Sequence, residues 1–303
     1  MTLLSIVQDF VAPLGLGDQV RRFLTLAVVF VPFELVFPAH RQRQLRRGLG
    51  SDILFYFVGP LLVLLPMAAL LGALASVGAW LTPVAVQQAM QGQPLWLQAI
   101  AAAVIGDLGI YLGHRVQHEV PALWRFHAVH HSAEELDWVA GARFHPIDIL
   151  ITRGLSFGLL YALGFEPAAI YLYLAVYTWE SFGVHANVPT DFGPLRYLLV
   201  SPISHHWHHS KDRRAWGKNY AGFIALWDVL FGTYFVPRGE RPGNYGTEDP
   251  VPHDFVGQLL FPFRKRRTAE AVAESASPPP VVAPDTTLGT LTRSGASAPS
   301  PHH

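Results

Sequence analysis

Three groups of histidines lie between residues 114 and 209: His114-Arg-Val-Gln-His118, His127-Ala-Val-His130-His131 and His205-His206-Trp207-His208-His209. The second and third share the template H-x-x-H-H-S, closed by Ser132 and Ser210. On a helix, residues three and four apart share a face, so each group aims two or three imidazoles at one point. Aligning the template puts His205, His208 and His209 on the ligand face and leaves His206 off it. With His206 set aside, the nine histidines of the groups supply eight imidazoles, too many for one ion. Zinc closes at four ligands and usually mixes in thiolate or carboxylate, whereas eight or more imidazoles serve two first-row ions at four or five each. Imidazole suits iron, copper, nickel and zinc alike, so ligand type alone does not name the ion.

His185, in His185-Ala-Asn187, is expected as a ninth ligand. Asp107, Tyr111, His145 and Asn187 are the candidates for a direct part in the chemistry. Asp107, Tyr111, His114 and His118 fall on one helical stripe. An aspartate inside an apolar helix is costly unless paired, so Asp107 holds a histidine tautomer, caps a buried tyrosine, or is simply the partner of a helix kink or a water. His145, in Arg143-Phe-His145, is read equally as a ligand, as an orienting group or as a helix cap. Asn187 is placed to accept from, or bind through, a metal-bound water. Glu180 and Asp228 are weaker supporting candidates. His40, His253, His302 and His303 stand outside any cluster and are read as ordinary histidines.

The elements that must position these residues are membrane helices. The chain has 303 residues and no formal net charge; half of it is hydrophobic and only 15% is charged, against roughly 25% in an average soluble domain. Its mean hydropathy is +0.26. Without a basic excess, nucleic acid is not an expected partner. The absence of cysteine excludes disulfides, iron–sulfur clusters, zinc knuckles and thiol catalysis. Met1 to Leu16 has no basic region or cleavage site and is expected to be a short amphipathic surface helix. Apolar runs at Phe23–Phe37, Ile53–Leu81 and Leu95–Leu112 suit spans of a roughly 20-residue core. Arginines after the first run and after Leu112 place those ends, and the first two histidine groups, in the cytoplasm. The stretch Ile147–Phe182 must then cross an even number of times for the third group to join them. Gly164-Phe-Glu-Pro167 breaks it into a helical hairpin with arms of about 16 residues, each ~24 Å long.

The expected fold is therefore all-α and integral to the membrane: about three spans plus a helical hairpin, with a cytoplasmic histidine-rich helical cap. Residues 1–100 form the N-terminal amphipathic and transmembrane helices, 101–236 the histidine-bearing catalytic domain and 237–267 a cytoplasmic extension. Residues 268–303, rich in Ala, Pro, Ser and Thr, form a tail without apolar periodicity, read as disordered.

Over roughly Asp107 to Tyr234 the sequence resembles the fatty acid hydroxylase and sterol desaturase superfamily of membrane di-iron enzymes. The likeness is carried by Tyr111 through His118, by Leu123-Trp-Arg-Phe-His-Ala-Val-His-His-Ser132, by Arg143-Phe-His145 and His185-Ala-Asn187, and by Ser201-Pro202 leading into the third histidine group. It closes with Asn219-Tyr220 and Trp227-Asp-Val-Leu-Phe-Gly-Thr-Tyr234. Two departures are the extra His206 and Ala221, where a glycine is common. The resemblance implies two iron ions, with zinc as a substitute in purified protein, at the cytoplasmic face of a bacterial inner or ER-type membrane. It also implies dioxygen as oxidant and a lipid, sterol or fatty-acyl C–H bond as target. Hydroxylation is preferred, and desaturation on the same centre stays open. The chain has no haem motif and no dinucleotide-binding loop, so electrons come from a separate donor protein or a reduced cofactor. Two readings of another class are a histidine-rich membrane metal transporter and a zinc hydrolase. The first would place ligands within the spans; the second would place a carboxylate base beside them.

Overall fold

The structure, a computed structural model, describes residues 15–264. The surface helix expected over Met1–Leu16 lies almost wholly outside the described residues, and the tail over 268–303 wholly so.

Helix α1 spans Leu16–Val36 and α2 spans Leu49–Leu81, with Pro60 and Pro66 inside it; a short α3, Val84–Gln91, leads into α4, Leu95–Glu119. Two of these are long and apolar enough to cross a membrane, over Leu49–Gly78 and Leu95–Glu119. Helix α1 covers the run expected as the first span but is not one of the two, because its 21 residues include Asp18, Arg21, Arg22 and Glu34. Glu34 is buried and turned inward, where its Oε1 accepts from the backbone N–H of Trp138 (2.8 Å) and of Asn187 (2.9 Å). Helix α1 thus clamps two loops that flank the histidines.

The stretch expected as a hairpin forms two helices joined by a short turn, both packed on α4. Helices α6, Pro146–Ala162, and α7, Pro167–His185, each begin on a proline, which lacks the N–H that a first turn leaves unbonded. Gly164 turns the chain between them at φ +81°, a conformation that a side chain resists. Helix α6 packs on both α2 and α4. The approach to α4 is close because small residues meet: a Cβ on Gly109 would lie 2.6 Å from the Ser156 Cα, and one on Gly113 would lie 3.1 Å from the Thr152 Cα. This is the small-residue contact by which apolar helices associate when water offers no driving force between them. Leu71, Ala102, Phe157, Leu160, Ile170 and Tyr173 fill the space among α2, α4, α6 and α7.

The remaining elements are short: α5 (Pro121–His127), α8 (Pro202–His208), α9 (Leu226–Leu230), α10 (Phe255–Leu260) and several 3-10 turns. Helix α8 starts with a reciprocal cap between Ser201 and Ser204. There is no strand among the described residues, only an isolated bridge between Ser210 and Tyr245. Up to Phe263 the described chain forms one compact unit, so the N-terminal helices and the histidine-bearing region fold as one body.

Candidate metal centre

Four helix ends deliver the histidines. His114 and His118 leave the last turns of α4; His127 ends α5 and is followed by a 3-10 turn carrying His130 and His131. His185 is the last residue of α7, and His205, His208 and His209 come from α8 and its cap. The C-terminal end of a helix carries partial negative charge, which favours a cation nearby. The side chains gather into two groups whose ligand atoms lie within 4.8 Å of one another: His114, His118, His127, His131 and His208 in one, and His130, His185, His205 and His209 in the other. These nine are the nine residues expected as ligands.

Five of the nine are anchored through the outer ring nitrogen. The Nδ1 of His114 donates to the Tyr220 carbonyl (2.7 Å), that of His130 to Arg143 (3.1 Å), that of His185 to Ser181 (2.6 Å) and that of His208 to Lys218 (2.8 Å). The Nδ1 of His127 donates to the Asp148 carboxylate at 2.7 Å. A proton held on Nδ1 leaves a lone pair on Nε2, and these lone pairs face each other. The Nε2 atoms of His114 and His127 are 3.0 Å apart, those of His127 and His131 3.1 Å, those of His130 and His185 3.2 Å, and those of His185 and His205 3.0 Å. Opposed lone pairs at this separation repel unless something positive lies between them. Two nitrogens each about 2.1 Å from one ion and at right angles would be about 3.0 Å apart, so the spacing fits a shared ion. The buried Nε2 atoms of His118 and His208 have no hydrogen-bond partner at all. Burial, reinforced by neighbouring imidazoles, holds His130, His131, His205 and His209 well below the usual histidine range, and burial pushes His208 down to about 3. They are neutral at physiological pH, as metal ligation requires.

His206 points elsewhere: its Nδ1 meets the Tyr245 hydroxyl at 3.0 Å, and that hydroxyl also meets His40 at 2.8 Å. Of the other candidates, none joins either histidine group. Asp107 is fully buried and its Oδ2 accepts from the Ile224 N–H (2.7 Å), pinning the loop after Tyr220. Tyr111 stacks on Phe231, and its hydroxyl lies 3.1 Å from the Thr233 hydroxyl. Thr233 donates to Asp228, which accepts from the N–H groups of Tyr220 and Ala221, so Tyr111 and Asp228 brace the segment whose carbonyl holds His114. His145 spends both ring nitrogens on backbone, accepting from Ile147 as the cap of α6 and donating to Leu259. Asn187 uses both ends of its amide on the backbone of His40. Asn219 holds a left-handed φ of 57° while its amide donates to Ser204 and Phe235.

Asp148 went unforeseen. In sequence it is only an acid in the first turn of a helix, where the dipole favours one, and nothing local points to His127, 21 residues earlier. A buried ion network was also unforeseen: Asp52 accepts from Arg46 and Arg143, and Arg46 also holds Asp137. It fixes Arg143, whose carbonyl anchors His130.

A family model described as fatty acid hydroxylase matches residues 99–233. The ornithine lipid hydroxylase OlsE of Rhizobium tropici is 35% identical over 182 residues, 60% of this chain and 55% of that protein. The human alkylglycerol monooxygenase is 34% identical over 145 residues, 48% of this chain and 32% of that one. The sphingolipid C4-hydroxylase sur2 of Schizosaccharomyces pombe is 26% identical over 148 residues, 48% of this chain and 50% of the yeast protein. The chain thus spans about half the length, or less, of these relatives. No solved structure matches it. The matched segment runs from α4 through the last anchored loop and contains all nine converging histidines, and over that segment the chain is similar to the fatty acid hydroxylase family.

Proposed function

We propose that this protein hydroxylates a C–H bond of a membrane lipid, sterol or fatty-acyl chain, using dioxygen and two irons held by the two histidine groups. The observation that carries the reading is the convergence of five and four imidazoles with no carboxylate in either group. All-nitrogen ligation of two adjacent ions suits redox iron better than a structural site, and a hydrolase would need a carboxylate base beside the ligands. Bound iron supplies the activation of dioxygen and the oxidising power, in the overall balance R–H + O2 + 2 electrons + 2 protons giving R–OH and water. The chain supplies placement and exclusion of water. His114, His118, His127, His131 and His208 hold one ion; His130, His185, His205 and His209 hold the other. Asp148 and the backbone carbonyls keep the Nε2 atoms of His114, His127, His130, His185 and His208 aimed inward. A cleft bounded by Ile110, Ile149, Tyr177 and Val184 reaches the histidines from between α4, α6 and α7, the faces along which an acyl chain approaches. Arg46 and its neighbours, packed against the loop that anchors His130, support a cytoplasmic position for the centre. Electrons come from a separate donor. Desaturation on the same centre is the second reading, favoured by the same ligand set.

The names of the relatives, a lipid hydroxylase and two further lipid oxygenating enzymes, support hydroxylation. The test is incubation of iron-loaded protein with membrane lipid extract, a reductant and 18O2. The expected result is a lipid that gains one 18O atom; loss of two hydrogens without label would replace hydroxylation by desaturation, and no mass change would overturn both.

A further inference from the structure

The cleft that reaches the histidine groups carries one charged side chain on its wall apart from the histidines, Arg153 of α6. Arg153 is partly buried and lies two turns beyond His145, about 12 Å along the helix. Among the described residues it makes no hydrogen bond or ion pair. The other arginines of the helical body differ: Arg46 and Arg143 hold Asp52, and Arg115 holds Glu119. Asp107 is engaged with Ile224 and Asp148 with His127; Glu180 of α7 has a buried Oε1 that no group bonds among the described residues, and it forms no ion pair with Arg153. A cation within an apolar helical hairpin marks a path for a ligand when the chain supplies no counter-charge. Guanidinium presents a planar fork of donors that matches carboxylate and phosphate oxygens in pairs.

We propose that Arg153 binds the oxyanion group of the substrate, so that the centre acts on an anionic amphiphile. The inference rests on the reading of the cleft as the substrate's route. Arg153 and the ligand histidines line the same cleft, so the reacting carbon lies near the polar end of the molecule and is counted from the anion. Arg153 is a specificity-determining residue in this account; the chemistry stays with the histidine groups.

Equilibrium binding to the full-length protein in detergent tests this without turnover. The probes are radiolabelled palmitate, 1-palmitoylglycerol 3-phosphate and the neutral 1-palmitoylglycerol, with inorganic phosphate as competitor. The expected result is that one anionic probe binds at least tenfold more tightly than 1-palmitoylglycerol, and which one identifies the oxyanion as carboxylate or phosphate. Arg153→Gln removes that preference and leaves the neutral probe's affinity within twofold; Arg153→Lys keeps part of it. Absence of a preference in the native protein, a preference that survives Arg153→Gln, or full displacement by inorganic phosphate at the same concentration would overturn the proposal. Because binding is read apart from oxidation, 18O incorporation without anion preference would sink only the anchor, and anion preference without 18O incorporation would sink only the hydroxylase reading.

Discussion

At the scale of single residues, the gathering of nine imidazoles is legible because histidine is a rare residue with a clear ligand chemistry and helical spacing fixes which ones share a face. What holds them is not legible. Four of the anchors are backbone carbonyls, of Tyr220, Arg143, Ser181 and Lys218, and a carbonyl leaves no mark in a sequence. Asp148 leaves one, but it is indistinguishable from ordinary helix capping. Asp148→Asn preserves the shape of the side chain while removing the charge that orients His127; metal affinity is expected to fall by about 10–100-fold, as read by chelator competition, with helix content unchanged by circular dichroism. His208→Ala removes a ligand whose Nε2 has no other partner, and is expected to leave about one metal fewer per chain by elemental analysis. His206→Ala is expected to keep the full complement and to cost at least about 1–3 kcal/mol of stability, because the imidazole is fully buried as well as bonded to Tyr245.

At the scale of elements, the hairpin is legible because Ile147–Phe182 is too long for one arm and Gly164-Phe-Glu-Pro167 can only be a break. The role of α1 is less so. Its run reads as a span, and only the partners of Glu34, two backbone N–H groups far along the chain, show that it clamps the cap. The close crossing of α4 and α6 places a tight limit on Gly109, since any side chain there meets the Ser156 backbone. Gly109→Leu is expected to cost at least the ~1–3 kcal/mol of ordinary overpacking, visible as a lower midpoint in thermal unfolding in detergent. The ion network ties the start of α2 to the segment that anchors His130. Asp52→Ala leaves Arg46 and Arg143 without a shared carboxylate in a buried site, a change that costs about 3–5 kcal/mol when one partner of a buried pair is removed. Its expected signature is a destabilised protein that also binds metal less tightly, because the Arg143 carbonyl shifts with its side chain.

At the scale of the whole molecule, apolar helices carry a histidine-bearing region in which nine imidazoles gather beside small apolar clusters such as Ile203, Trp207 and Ala215. Composition indicates the membrane part, and the order of the histidine groups indicates the cap; their joining depends on contacts between residues such as Asp107 and Ile224, 117 positions apart, which no local pattern encodes. The architecture holds two ligand groups side by side at the inner ends of four helices, within reach of a cleft between α4, α6 and α7. The central claim is that these groups hold a pair of irons. Mössbauer spectroscopy with metal analysis, on protein grown with enriched iron and purified in mild detergent under reducing conditions, tests it most directly. Two irons per chain with a coupled di-iron signal is the predicted result; stoichiometric zinc with no retained iron, even when iron is plentiful during growth, would contradict it.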